Sequence, residues 1–176
     1  MQAIDKLRDT AQSHERIFIV EVMGRDSGFI AYGSGIAGGV EGILVPETKA
    51  DYTNLEKTLN KGWNREKASL IFVVAEGDET GGANKVADLV KKYMPGRYVG
   101  VCVLGHVQRG GSPTAADRIL ASNFGYNAVI GLLDGKQNVM VGMKKNEICF
   151  TSLSEVKKHH LDINNNLLKM LSALTS

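Results

Sequence analysis

"RIFIVEVMGRDSGF", residues 16–29, is the stretch on which the fold turns. Ile17, Phe18, Ile19, Val20 and Val22 make an apolar run broken only by Glu21. A run this short, rich in β-branched residues and closed by a glycine, reads as a strand buried on both faces and ending at Met23. Strands of that kind belong to parallel sheets covered by helices, and the flanking sequence agrees. Ile4, Leu7 and Ala11 fall on one face of an opening helix, and Gly28 to Gly38 reads as a helix of small residues. Beyond them "GILVP" (42–46) predicts a short strand, Asp51 to Trp63 a helix, "ASLIFVVAEG" (68–77) a second buried strand, and "GGANKVADLVKKYM" (81–94) a helix with Ala83, Val86, Ala87 and Val90 on one face. "YVGVCVLGH" (98–106) predicts a further strand. Strands and helices in alternation imply an α/β domain with a parallel sheet, whose ligands sit beyond the C-terminal ends of the strands.

Past that point the pattern changes. In "LGHVQRGGSPTAADRILAS" (104–122), Ser112 reads as a helix cap with Pro113 at the first helical position, opening a long helix through Ile119, Leu120, Ala128 and Leu132 that Gly135 closes. "NVMVGMK" (138–144) and "EICF" (147–150) suggest a hairpin near the sheet edge, and "LDINNNLLKMLSAL" (161–174) a terminal helix. The expected organisation is one domain, residues 1–135 forming its α/β body and 136–176 completing it with the hairpin and helix. Residues 136–176 carry no functional signal.

Composition narrows the function classes. The 176 residues are 43% hydrophobic and 23% charged, enough for one globular core. The net charge of +2 comes from interspersed acids and bases, which argues against nucleic-acid and membrane partners and for a small ligand. Cys102 and Cys149 show no CxxC or paired-histidine spacing, so no metal site is expected, and reduced thiols in a cytoplasmic protein are the default. No apolar run reaches the ~18 residues of a membrane span.

Three strand ends carry polar residues: Met23, Gly24 and Arg25 after the first buried strand, Glu76 after "LIFVVA", and His106 with Arg109 in the Gly-rich turn of "LGHVQRGG". A guanidinium is a planar fork of donors that stays charged, which suits a phosphate. A carboxylate repels phosphate but accepts hydrogen bonds from hydroxyls, so two arginines, a histidine and Glu76 fit a sugar phosphate better than a bare anion. The residues alone leave the plainer readings open. Arg25–Asp26 also reads as a solvated ion pair, the charges after Glu76 as a loop, His106 as a structural hydrogen bonder, and the glycines as ordinary strand-to-helix punctuation.

"EVMGRDSGFIA" (21–31), "IAGGVEGILVPE" (36–47) and "VLGHVQRGGSPTAADRILAS" (103–122) together resemble the C-terminal, substrate-domain half of the bacterial-type 6-phosphofructokinases, over residues 1 to about 135. The resemblance implies a three-layer, Rossmann-like parallel sheet flanked by helices. It implies that Met23, Gly24, Arg25, Glu76, His106 and Arg109 hold fructose 6-phosphate, that Arg25 also stabilises the transferring phosphoryl group, and that Arg16 reaches the sugar phosphate of a neighbouring subunit. The complete enzyme would be a cytoplasmic homotetramer of glycolysis using Mg²⁺ and ATP or diphosphate. The family's second intersubunit arginine, six residues before the histidine, is here Gly100, with Arg97 three residues earlier.

Two further expectations follow from the resemblance. The nucleotide domain, with its GGDGS-type loop and catalytic aspartate, is absent from these residues, and none of the diglycines Gly38–Gly39, Gly81–Gly82 and Gly110–Gly111 stands in a strand–GxGxxG–helix setting. The chain is thus expected to be an enzyme half, inactive alone, without ATP or Mg²⁺ of its own and dimeric; the rival reading is a non-catalytic phosphate-binding regulatory module. Arg8, Gly39, Glu41, Arg65 and Lys67 occupy the places of an effector site for ADP or another diphosphate. The match is incomplete, with Ala68 and Ser69 where further basic residues are common, and the plainer reading of the same residues is a helix end followed by a solvated charge run, "NREK" (64–67).

Overall fold

The computed structural model describes residues 1–12, 16–48, 52–63, 69–77, 81–157 and 162–174. They group into two compact units, Met1–Arg109 with His160–Ser176, and Gly110–His159. The sequence-based boundary at 135 falls inside the second unit, because the long helix clusters with the hairpin rather than with the sheet.

In the first unit, helix α1 (Gln2–Gln12) leads into β1 (Arg16–Val22), followed by α2 (Phe29–Ala37), β2 (Gly42–Leu44), α3 (Tyr52–Trp63), β3 (Ser69–Ala75), α4 (Gly82–Tyr93) and β4 (Val99–Val103). All four strands are parallel, in the order β2-β3-β1-β4. The two-residue period of the strands sends Phe18, Val20, Val22, Ile71, Val73 and Ala75 to one face, where they pack with Ile4 of α1 and Ala31 of α2. Ile17, Ile19, Leu70, Phe72 and Val74 go to the other, against Leu55 and Leu59 of α3 and Ala83, Val86, Ala87 and Val90 of α4. Both faces of β1 and β3 are therefore dry, which is why their sequences are nearly continuous apolar runs. Helix α6 (Asn165–Leu174) joins this unit through the Tyr32 hydroxyl, which donates to the Asn164 carbonyl and accepts the Asn164 amide, each at 3.0 Å.

This layering creates a fork at the C-terminal edge. The chain leaves β1 toward α2 on one face and leaves the adjacent β3 toward α4 on the other. Diverging connections between neighbouring strands open a crevice there, the usual ligand position in such sheets.

β4 stops at Val103, three residues short of the expected strand, and residues Gly105–Arg109 instead form a short 3-10 helix, η1. Gly105, at φ +53°, makes the bend.

The second unit is α5 (Ala115–Leu133) with the antiparallel pair β5 (Val139–Lys144) and β6 (Glu147–Ser152). The cap of α5 is Thr114, not Ser112, and Pro113 lies outside the helix. Thr114 and Asp117 form a reciprocal capping box: Thr114 Oγ1 accepts the Asp117 amide at 3.2 Å and the Asp117 carboxylate accepts the Thr114 amide at 2.8 Å. That pair outcompetes the proline rule because it satisfies two backbone donors at once. The hairpin turns on Lys145 and Asn146, both at positive φ (52° and 66°), the two-residue geometry that matches strand twist.

Candidate functional site

Beyond the ends of β1, β3 and η1, Met23, Gly24, Arg25, Ile30, Glu76, Gln108 and Arg109 line an open cleft of about 420 Å³, within the size range of small-molecule sites. Five of the residues expected from sequence, Met23, Gly24, Arg25, Glu76 and Arg109, thus meet on one cleft. His106 lies on η1, exposed and not among the lining residues. Gln108, which the sequence crowds with His106 and Arg109 into one Gly-rich turn suited to an anion, lines it as well.

The turn after β1 is built to project Arg25. Gly24 has φ +149° and Arg25 itself adopts φ +54°, a left-handed conformation uncommon for a residue with a side chain. Glu76 compensates: its Oε1 accepts the amides of Arg25 at 2.9 Å and Gly24 at 3.3 Å. The Glu76 amide in turn donates to the Val22 carbonyl at 2.9 Å, continuing the β1–β3 ladder one step. Position 77 has no room for a side chain, since a Cβ there would collide with the Arg25 carbonyl. On the far side, the Met23 amide donates to Gln108 Oε1 at 2.9 Å. Glu76 thus holds the turn as well as facing the cleft, a role not expected from its charge alone.

The next turn is anchored differently. The Gly28 amide, at the start of α2, donates to both Glu47 carboxylate oxygens at 2.9 and 3.1 Å. A carboxylate at a helix N-terminus satisfies an orphan donor and opposes the positive end of the dipole. Glu21 does the same for α4, accepting the Ala83 amide at 2.7 Å. The Gly81–Gly82 diglycine therefore meets a carboxylate, an arrangement that disfavours a nucleotide phosphate. Among the described residues no group of three His, Cys, Asp or Glu side chains is placed to hold a metal ion.

Arg16 is not brought to the cleft. It begins β1, about 20 Å from the turn at ~3.3 Å per residue, with its guanidinium 5.0 Å from the centroid of the Tyr98 ring. Of the residues expected for an effector, Arg8 and Gly39 come together: Arg8 Nη2 donates to the carbonyls of Gly38 and of Gly39, the latter at 3.0 Å. A cation there neutralises the carbonyl end of α2. Glu41 accepts the Ile71 amide at 2.7 Å. Arg65 and Lys67 lie outside the described residues. Among the described residues no helix is long and apolar enough to cross a membrane.

The family described as Phosphofructokinase matches residues 1–132. The chain belongs to the phosphofructokinase family. It is 44% identical over 175 residues to the ATP-dependent 6-phosphofructokinase 2 of Bacteroides thetaiotaomicron, an alignment covering 99% of this chain and 54% of that protein. It is 47% identical over 174 residues to the ATP-dependent 6-phosphofructokinase 1 of Thermus thermophilus, covering 99% and 54%. The chain spans about half the length of these curated phosphofructokinases. Among solved structures it is similar to the phosphofructokinase from Saccharomyces cerevisiae, with a TM-score of 0.78 at 34% identity over 88% of this chain and 22% of that one. A pyrophosphate-dependent phosphofructokinase from Marinobacter aquaeolei shares the fold, at a TM-score of 0.78 and 24% identity over 99% and 52%.

Proposed function

We propose that the chain is the fructose 6-phosphate-binding half of a glycolytic ATP-dependent 6-phosphofructokinase, which transfers a phosphoryl group to the sugar's 1-hydroxyl. The observation that carries this reading is the cleft at the β1/β3 fork, where Arg25 and Arg109 accompany the single carboxylate of Glu76. Arg109, with His106, binds the 6-phosphate. Glu76 engages the turn amides through Oε1, leaving Oε2 to accept from sugar hydroxyls. Arg25 lies over the reacting end, where charge on the transferring group is greatest, and phosphoryl transfer depends mainly on positioning and charge stabilisation. ATP, with Mg²⁺, supplies the phosphoryl group, and its binding falls to sequence beyond these 176 residues. Arg16 completes the site of a partner subunit, so the assembled enzyme is a homotetramer and this chain a dimer. Arg8, Gly39, Glu41, Arg65 and Lys67 bind ADP or another diphosphate effector.

Calorimetry tests the reading. The chain is expected to bind fructose 6-phosphate and not fructose, weakly because Gly100 stands in place of an arginine, and to show no turnover with ATP, Mg²⁺ and fructose 6-phosphate in a coupled assay. Equal responses to both sugars would overturn it, as would turnover well above background. Light scattering that found a strict monomer still binding the sugar phosphate at micromolar affinity would withdraw Arg16 from a partner's site.

A further inference from the structure

We propose that Gln108 is a positioning residue of the sugar-phosphate site, locking the Met23–Arg25 turn to the 3-10 helix that carries Arg109 so that the two arginines are presented as one unit. This rests on the fructose 6-phosphate reading of the cleft.

Three successive amides of the turn are taken by two side chains from the neighbouring strand ends. Met23 donates to Gln108 at 2.9 Å, and Gly24 and Arg25 donate to Glu76 at 3.3 and 2.9 Å. The β1–β4 ladder closes with the Leu104 amide on the Glu21 carbonyl at 3.1 Å. Beyond it Gln108 supplies the connection across 85 residues of sequence. With its amides occupied the turn is no anion nest, so the phosphate must be met by side chains, whose placement depends on how rigidly turn and 3-10 helix are joined. Gln108 is half-buried while Arg25 and Arg109 are exposed, so the joint is more shielded from water than the cations it carries.

The chemistry of the side chain fits the task. The Met23 amide is a donor, so it fixes which end of the Gln108 amide faces it: the oxygen. A glutamate would accept equally well but would add a second carboxylate beside Glu76 in a cleft proposed to take a phosphate dianion. Glutamine provides the acceptor without the charge.

The test combines amide exchange by NMR with calorimetry, using fructose 6-phosphate as the probe. Gln108→Leu should remove protection of the Met23 amide and weaken binding about fivefold, the scale of one neutral hydrogen bond. Gln108→Glu should keep that protection. If Gln108 acts through the turn, Gln108→Leu should cost little more once Arg25→Ala is present, because the two share one effect. Undiminished binding by Gln108→Leu, or independent multiplicative losses in the double variant, would overturn the proposal. Retained Met23 protection in Gln108→Leu would overturn it as well. Failure of the unaltered chain to bind fructose 6-phosphate would instead overturn the substrate reading itself.

Discussion

The Phe18 ring occupies the space that a side chain at position 100 would need. The two residues are partners across β1 and β4, and a Cβ built on Gly100 would lie 2.7 Å from Phe18 Cε1 and 3.2 Å from Tyr98 Cε1. Phe18 is buried and meets the exposed Tyr98 ring edge-to-face with centroids 6.4 Å apart, so the Phe18 ring is not a flexible end that swings away cheaply. Glycine at this position is thus paired with an aromatic cover rather than being a bare loss of an arginine.

Gly100→Ala is accordingly expected to destabilise the chain by about 1–3 kcal/mol, the usual cost of overpacking. Urea melts measure this directly. Combining it with Phe18→Leu should shrink the increment, and an unchanged increment would show that the ring is not the obstacle.

Arg25 pays a conformational cost at φ +54° that glycine would not. Arg25→Gly should raise the urea midpoint by the equivalent of about 1 kcal/mol while weakening fructose 6-phosphate binding. Loss of both stability and binding would mean that the side chain also supports the fold.

In a complete phosphofructokinase containing this chain, Arg25→Ala should lower kcat on the order of 100-fold with a smaller rise in KM, because charge on the transferring group grows in the transition state. Arg109→Ala should instead raise KM about tenfold or more, the scale of a charged hydrogen bond present in both states. Steady-state kinetics with fructose 6-phosphate as the varied substrate separate the two, and the reverse pattern would exchange their roles.

Thr114 holds the Asp117 carboxyl below its usual range, first through its side-chain hydroxyl and then through its backbone amide. A carboxyl lowered in the folded state contributes stability above its unfolded pKa and loses it as pH falls through the lower, folded value. The α5 cap should therefore weaken under acid conditions, below the ordinary carboxylate range. In Thr114→Val an NMR titration should find the Asp117 pKa moved up toward its ordinary value, with less acid dependence of α5 stability.

How much was legible in the sequence follows from which interactions are local. The strands β1 and β3 were readable because burial on both faces demands uninterrupted apolar residues, and their glycine-closed ends placed Met23, Gly24, Arg25 and Glu76 at strand termini. Those residues meet because parallel strands put their C-terminal ends on one edge, a consequence of fold class alone. The cap of α5 was misplaced by two residues because proline and serine are common signals, whereas the Thr114–Asp117 pair is settled by two specific hydrogen bonds.

Tertiary structure alone decided the rest. Whether Glu76 would be a free carboxylate or the clamp of a left-handed turn depended on register: Val22 pairs with Ala75, which brings residue 76 beside residues 24 and 25. Gln108 was visible as a polar residue in a glycine-rich loop, but its partner, the Met23 amide, is set by β4 lying against β1. The meaning of Gly100 likewise waited on its pairing with Phe18. The sequence by itself determined which segments are buried and which chemistry stands at their ends, because burial and periodicity act within a few residues. Only the packed sheet decided which of those groups bind each other and which remain turned toward a ligand, because hydrogen-bond partners across strands are chosen by register.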